Sequence, residues 1–380
     1  MKLYGHLTKE KMNEIFYKEP NFIDLDTDFE FLKYSLGATL YIPAVKTDFY
    51  KYILEYKNLL SVVLCLEDAI NDSSLDEAQK NLFYNLKKLR ENKIKSIPKI
   101  FIRVRNSKHL LDIKNEIIEN KDMIMGFVFP KFSLKSAKNY FDALDSIIKE
   151  SNKDFFCMPI FECDELIYKE NRINELSNLK KIIDQNKMRV LNIRVGGTDF
   201  SSNYSIRRPK ELTIYDMLVV KDVICDILNF FLRKEDDYVV SGPVFEYFSS
   251  GDRVMKPKIR QTPFINHLGQ EGIVKRKELI ENSMDGLINE VIMDKYNGII
   301  GKTIIHPTHI DIVNSLYIVN HEEYMDAIAI INEKENGVLK SCYNNKMNEI
   351  KPHYNWAKKI LKRAYVYGVF NEGIEYINLI

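Results

Sequence analysis

Short apolar runs recur along this chain, separated by longer segments whose apolar residues are spaced as on one face of a helix. Eight runs stand out: Thr39–Pro43, Ser61–Leu66, Lys99–Val104, Gly126–Pro130, Phe155–Phe161, Val190–Val195, Tyr238–Ser241 and Gly298–Ile305. They are rich in β-branched and aromatic residues and too short for helices, so they predict strands. Asp76–Asn92 and Leu134–Ser151 place Lys and Glu between apolar residues at helical spacing and predict helices. Strands apolar on both faces and alternating with helices imply a parallel sheet. An open doubly wound sheet would satisfy that pattern, but no Gly-x-Gly-x-x-Gly turn follows an early strand. Eight units in this length fit a closed barrel instead. The expected class is α/β, a (β/α)8 TIM barrel with a C-terminal helical extension.

The runs divide the chain into an N-terminal extension (1–35), the barrel (36–320) and a helical extension (321–380) with Trp356 and a Tyr-rich end. Between the seventh and eighth runs lies a basic, Gly- and Pro-punctuated stretch, 246–281. Connections of that length are usually lids, binding loops or subunit contacts. There is no internal repeat, heptad run or low-complexity tract.

Charge narrows the partners. Lys and Arg number 55 and Asp and Glu 54, so the chain lacks the cation excess of a protein that binds nucleic acid over a broad surface. No run approaches the roughly 18 apolar residues of a spanning helix, and no apolar run follows the charged N-terminus, so neither membrane nor secretory signal is expected. Cys65, Cys157, Cys163, Cys225 and Cys342 are widely spaced, with no Cys-x-x-Cys pair. Reduced thiols in a cytoplasm are the simpler reading than a zinc site or disulfides.

In a barrel of this kind, functional side chains collect at the C-terminal ends of the strands. Read in order, those ends give Glu67-Asp68, Arg103 with Arg105, Pro130-Lys131, Glu162, Gly196-Gly197-Thr198-Asp199 and His306-Pro307. Glu162 and Asp199 follow consecutive strands without a His or Cys pattern beside them. Such a pair suits a hard cation such as Mg2+, with Mn2+ as a substitute, although each alone could be a helix cap or a salt bridge. Arg103 and Arg105 share a face by strand alternation. An unpaired guanidinium in an apolar strand is expensive, so they face a carboxylate substrate, a developing enolate, or an ion pair with Glu67 or Asp68. Glu67-Asp68 could supply a general base, orient water, or cap the next helix. Gly196-Gly197 would let backbone N–H groups approach an anion, or form a plain tight turn. Lys131, His306, Cys65 and Arg207-Arg208 read as paired, turn, core and solvated residues.

This series of strand ends resembles the aldolase family of the citrate lyase beta subunit and malyl-CoA lyase, over about Leu36 to Val319. Tyr41-Ile42-Pro43, Leu66-Glu67-Asp68-Ala69-Ile70, Ile102-Arg103-Val104, Phe129-Pro130-Lys131, Ile160-Phe161-Glu162, Gly196-Gly197-Thr198-Asp199 and Gly301-Lys302 with Ile305-His306-Pro307 stand in that family's order. The resemblance implies a Mg2+-dependent TIM barrel that makes or breaks C–C bonds. It gives Glu162 and Asp199 to the metal, which chelates a 2-keto acid, and Arg103 to the enolate. Glu67 or Asp68 would manage protons and metal-bound water, and the Gly197 and Asp199 backbone groups would meet the carboxylate. On their positions at the strand ends in this chain, Gly196, Gly197, Thr198 and Arg105 are expected on the substrate side.

Departures accompany it. Cys65 stands where the family has an acidic residue, Arg105 where it has Asn, Ala44 where it has Gly and Gly37 where it has Arg. The first-strand changes fall near the family's coenzyme A region, so a coenzyme A thioester is not carried over. Together with Tyr238–Glu246 and the basic stretch, they look like a divergent C–C bond lyase branch encoded among tellurium-resistance and stress genes. The expectation is a cytoplasmic, homo-oligomeric lyase acting on a small acidic molecule, with no nucleic-acid or membrane partner. Two other readings stay open: phosphoryl or carboxyl transfer using Arg103, Arg105 and the Arg253–Arg260 stretch, and a ligand-binding barrel without turnover.

Overall fold

Eight short strands carry the architecture: β1 (Ala38–Pro43), β2 (Ser61–Cys65), β3 (Lys99–Arg103), β4 (Gly126–Phe129), β5 (Phe156–Phe161), β6 (Ile193–Val195), β7 (Val240–Ser241) and β8 (Lys302–Ile304). The computed structural model describes the chain apart from residues 25, 69, 93–96, 249–270, 272, 273, 275–283, 334–336 and 344. Most of the basic 246–281 stretch therefore lies outside the described residues.

Neighbouring strands pair in parallel from β1 through β7, and β8 pairs with β1. Closure comes at Gly242, whose N–H donates to the Gly301 carbonyl at 2.9 Å while its own carbonyl accepts from Thr303 N–H at 3.1 Å. The strands are buried on both faces, as Val62–Leu64, Ile100–Ile102 and Phe127–Phe129 show. That double burial is why these runs read as continuously apolar.

Helices between the strands cover the barrel. Leu134–Ser151 begins at Ser133, where the Ser133 N–H donates to Ser136 Oγ at 3.0 Å, and ends at left-handed Asn152. It buries Ala137, Tyr140, Phe141, Leu144 and Ile147, the helical face set out in the sequence. The other expected helix spans Leu75–Glu91. Three strands are markedly shorter than expected, β6, β7 and β8, with β7 keeping only Val240–Ser241 of the expected Tyr238–Ser241. Gly298 and Gly301, at φ +80° and +88°, keep the chain before Lys302 out of extended conformation, and Val190 makes only an isolated bridge to Cys157.

After the barrel come two helices, His321–Asn332 and Ile350–Tyr367, with an antiparallel hairpin (Val338–Lys340 and Met347–Glu349) between them. They share a small core that includes Tyr324, Ile330, Ile360 and Val369. Val369–Phe370 then pairs with Phe16–Lys18, joining the two ends of the chain. This unit is tied to residues preceding β1 and β7: Tyr367 Oη donates to the Tyr34 carbonyl at 2.8 Å and Lys362 reaches Asp237 at 2.9 Å. It therefore packs on the rim where strands begin, leaving the opposite rim to the strand-end side chains. No helix among the described residues is long and apolar enough to cross a membrane.

Candidate active site

Side chains at the C-terminal ends of the strands border a cavity of about 540 Å3. Arg103, the last residue of β3, points into it and is buried. Its Nη2 lies 2.6 Å from Glu67 Oε2 and 3.2 Å from Glu162 Oε1, and its Nη1 lies 2.7 Å from Asp68 Oδ2. One guanidinium thus gathers carboxylates from the ends of β2 and β5. Burial opposes its charge, but Glu162 and Glu67 outweigh that and keep Arg103 a cation.

Glu162 follows β5 and is buried. Its Oε1 also accepts from the Lys131 backbone N–H at 2.9 Å, which left-handed Lys131 (φ +48°) turns toward it. The other oxygen is directed elsewhere. A Cβ placed on Gly196 would lie 2.3 Å from Glu162 Cβ, 2.7 Å from Glu162 Oε2 and 3.3 Å from Asp199 Oδ2. The two carboxylates therefore converge on a space that exists because residue 196 has no side chain. Burial, opposed by Arg103 and reinforced by Asp199, pushes the Glu162 carboxyl up to about 8. Asp199 is raised as well, by burial and then by Asp68.

Glu67 and Asp68 differ although they are adjacent. Burial raises Glu67 against the pull of Arg103. For Asp68 burial acts the same way, but its hydrogen bond with Glu67 and the Arg103 charge prevail and hold it below its usual value. Lys131 Nζ pairs with Glu67 Oε1 at 3.0 Å. Four carboxyl groups (Glu67, Asp68, Glu162, Asp199) thus gather at the cavity mouth beside two cations (Arg103, Lys131).

That gathering of carboxyl groups bears on a metal. No group of three or more His, Cys, Asp or Glu among the described residues surrounds a common point. Mg2+ is commonly held by one or two carboxylates, with water and substrate completing its shell. Glu162 and Asp199, hard oxygen donors converging over Gly196, each with its carboxyl raised by burial and by a neighbouring carboxylate, fit a divalent cation of that kind.

The cavity also brings in Gly196, Gly197 and Thr198, whose hydroxyl donates to Glu246 Oε1 at 3.2 Å. Arg105, expected on the substrate side, does not border it. Its Nε donates to the Leu66 carbonyl at 3.0 Å, and its terminal nitrogens meet the Ile70 carbonyl and Asp72. Strand alternation ends at Arg103, and the chain has already turned toward the helix capped by Asn106. Arg105 instead braces the loop that carries Glu67 and Asp68.

Sequence reasoning missed two groups. Arg194, in β6, is buried at the cavity floor, and its signal was an arginine inside an apolar run two residues before Gly196. Arg208, expected to be solvated, is buried against Glu290 and lies 2.7 Å from Glu246. Lys302 joins them at 2.9 Å from Glu290 and 2.8 Å from Asp294, so the lysine of Gly301-Lys302 is a buried strut beneath the cavity wall.

Residues 30–369 match the family described as C–C bond lyases of the TIM-barrel fold. The chain belongs to that family. It is a carbon–carbon lyase built on an eight-stranded parallel barrel. Similar solved structures include protein CitE from Mycobacterium tuberculosis in complex with magnesium, acetoacetate and coenzyme A, at 15% identity and a TM-score of 0.52, covering 87% of this chain and 99% of that one. The citrate lyase beta subunit of M. tuberculosis complexed with oxaloacetate and magnesium gives 16% identity and 0.46, over 75% and 98%. Haloferax volcanii malate synthase gives 13% and 0.49, over 73% of each chain. At these identities the likeness is one of fold. No curated protein matches the lyase.

Proposed function

We propose that this lyase is a Mg2+-dependent C–C lyase or aldolase that acts on a small 2-keto or hydroxy acid through an enolate. The observation that carries it is the pair Glu162 and Asp199, converging over Gly196 beside Arg103. Glu162 and Asp199 would hold the cation, which supplies Lewis-acid polarisation of a 2-keto acid. Mn2+ would suit the same oxygens. Cleavage of a β-hydroxy acid needs the hydroxyl proton removed, the C–C electron pair accepted as an enolate, and a proton returned to carbon. Arg103, whose terminal nitrogens stand among the carboxylates at the edge of the cavity, offers a fixed donor to the enolate oxygen. The Glu67–Asp68 pair, one carboxyl raised and its neighbour lowered, suits the proton traffic. Five cysteines without a disulfide suit a cytoplasmic enzyme. No observation favours phosphoryl transfer, because Arg105 is occupied and the Arg253–Arg260 stretch lies outside the described residues.

Calorimetric titration with Mg2+ tests the reading. Wild type should bind the ion, and Glu162→Ala and Asp199→Ala should lose that binding while keeping the wild-type circular dichroism. Solvent deuterium should also exchange into a 2-keto acid only when Mg2+ is present. Undiminished Mg2+ affinity in both variants sinks the metal assignment.

A further inference from the structure

A buried ionic cluster lies behind β7 and β8, and none of its residues borders the cavity. Lys302, Glu290 and Asp294 are fully buried and Arg208 nearly so. Lys302 Nζ lies 2.9 Å from Glu290 Oε1 and 2.8 Å from Asp294 Oδ2, and Arg208 Nη1 pairs with Glu290 Oε2. Glu290 Oε2 also accepts from the Ile214 N–H at 2.7 Å, and Tyr215 Oη donates to Asp294. Gly242 makes room for this cluster, since a Cβ there would lie 2.5 Å from Asp294 Oδ2. Breaking such a pair strands a charge away from water at considerable cost, so these groups hold one another in fixed places.

The buried part of the cluster closes without Glu246. That residue is only partly buried and ends the Tyr238–Glu246 stretch that departs from the family pattern. Arg208 nevertheless donates to Glu246 Oε2 twice, from Nε at 3.0 Å and from Nη2 at 2.7 Å, and Nη2 also reaches the Val244 carbonyl at 2.7 Å. With Oε2 held by that fork, Glu246 Oε1 accepts from Thr198 Oγ1 at 3.2 Å. This is the one hydrogen bond that the Thr198 side chain makes among the described residues. Thr198 stands between Gly197 and Asp199 at the start of the helix Gly197–Asn203. The same turn leans on the same segment at Gly197, where a Cβ would lie 2.9 Å from Pro243 Cβ and 3.3 Å from Ile214 Cδ1. The turn that carries Asp199 is therefore braced from outside by residues 243–246, and the buried cluster anchors the brace.

We propose that Glu246 is a positioning residue for the metal site: locked by Arg208, it fixes the Thr198 hydroxyl and so holds the Asp199 carboxylate against Glu162. This rests on the proposed Mg2+ reading and adds a residue that touches neither metal nor substrate. Mg2+ demands near-ideal octahedral geometry, so two ligands from different strand ends serve it only while their separation is kept. Partners that orient a metal ligand from outside are worth about 10–100-fold in affinity.

Calorimetric Mg2+ titrations of a double-mutant cycle test it, with melting temperatures of the same samples. Thr198→Val removes the hydroxyl and keeps the shape. It should weaken Mg2+ binding about tenfold, the lower end for losing such a partner, and melt as wild type does. Thr198→Ser returns the hydroxyl and should restore wild-type affinity. Glu246→Ala, and Glu246→Asp with the Arg208 charge still answered, should each weaken binding by a similar factor. Thr198→Val should then cost nothing further in either background. Wild-type affinity in Thr198→Val, or equal losses in the valine and serine variants, overturns the proposal while leaving the Mg2+ reading intact. Losses that multiply in the double variants also overturn it, by giving Thr198 a place at the metal independent of Glu246. Failure of wild type to bind Mg2+ removes the parent reading and this one together.

Discussion

Arg103 shows why residue type, and not charge alone, decides this site. Its two terminal nitrogens serve different carboxylates, Asp68 on one and Glu67 with Glu162 on the other. A lysine is a compact point charge on a flexible stem and cannot span the three. Arg103→Lys should therefore keep the net charge of the site and its Mg2+ affinity within a few fold. Turnover should fall about 100-fold or more, the usual scale for losing one fixed donor to a developing oxyanion. The readout is the rate of solvent-deuterium exchange into a 2-keto acid beside a Mg2+ titration of the same sample. Wild-type exchange by the lysine variant would take Arg103 out of the chemistry.

At the scale of elements, the site depends on how closely β5 and β6 bring their ends together. The gap over Gly196 admits Glu162 only because no Cβ stands there. Gly196→Ala should push the Glu162 side chain out of place, cost about 1–3 kcal/mol as an overpacked position does, and weaken Mg2+ binding as strongly as Glu162→Ala. A urea titration and a metal titration of one variant check both halves, and an alanine accommodated without change in either would show the gap to be roomy. Much of this element was legible beforehand. Strands buried on both faces announce themselves as apolar runs, and polar residues at their ends then locate the working rim. Local pattern could not reveal where alternation stops, so Arg105 was placed beside the substrate although the chain turns away after Arg103. Pairings across long separations were equally hidden: Arg208 meets Glu290 only because the barrel closes, and nothing near Arg208 in sequence distinguishes it from a solvated turn residue. Arg194 had a readable signal, an arginine inside an apolar strand, but its partners, Thr39 and Thr303, stand on β1 and β8.

Across the whole molecule, the two rims of the barrel are specialised differently, and that sets how it meets acid. Where strands begin, the paired chain ends and the helix Ile350–Tyr367 form a packed closure with its own core. Where strands end, the lyase keeps carboxylates around a cation, and behind β8 the helix His309–Tyr317 buries a histidine completely. Burial, with the nearby His306 and Lys302, lowers His309 from 6.5 to about 4. Between those two values the unfolded chain binds a proton that the folded chain refuses, so stability must fall as pH drops from 6.5 toward 4. The full shift corresponds to about 3 kcal/mol. Carboxylates throughout the chain titrate in the same range, so the histidine is isolated only by difference. His309→Gln cannot take up that proton, and the gap in unfolding free energy between wild type and variant, read from urea titrations, should move in the variant's favour by up to that amount as pH falls from 7 to 4. A gap that stays constant across the range would mean that His309 is protonated in the folded lyase at no cost, and the acid response would then have to come from the carboxylates alone.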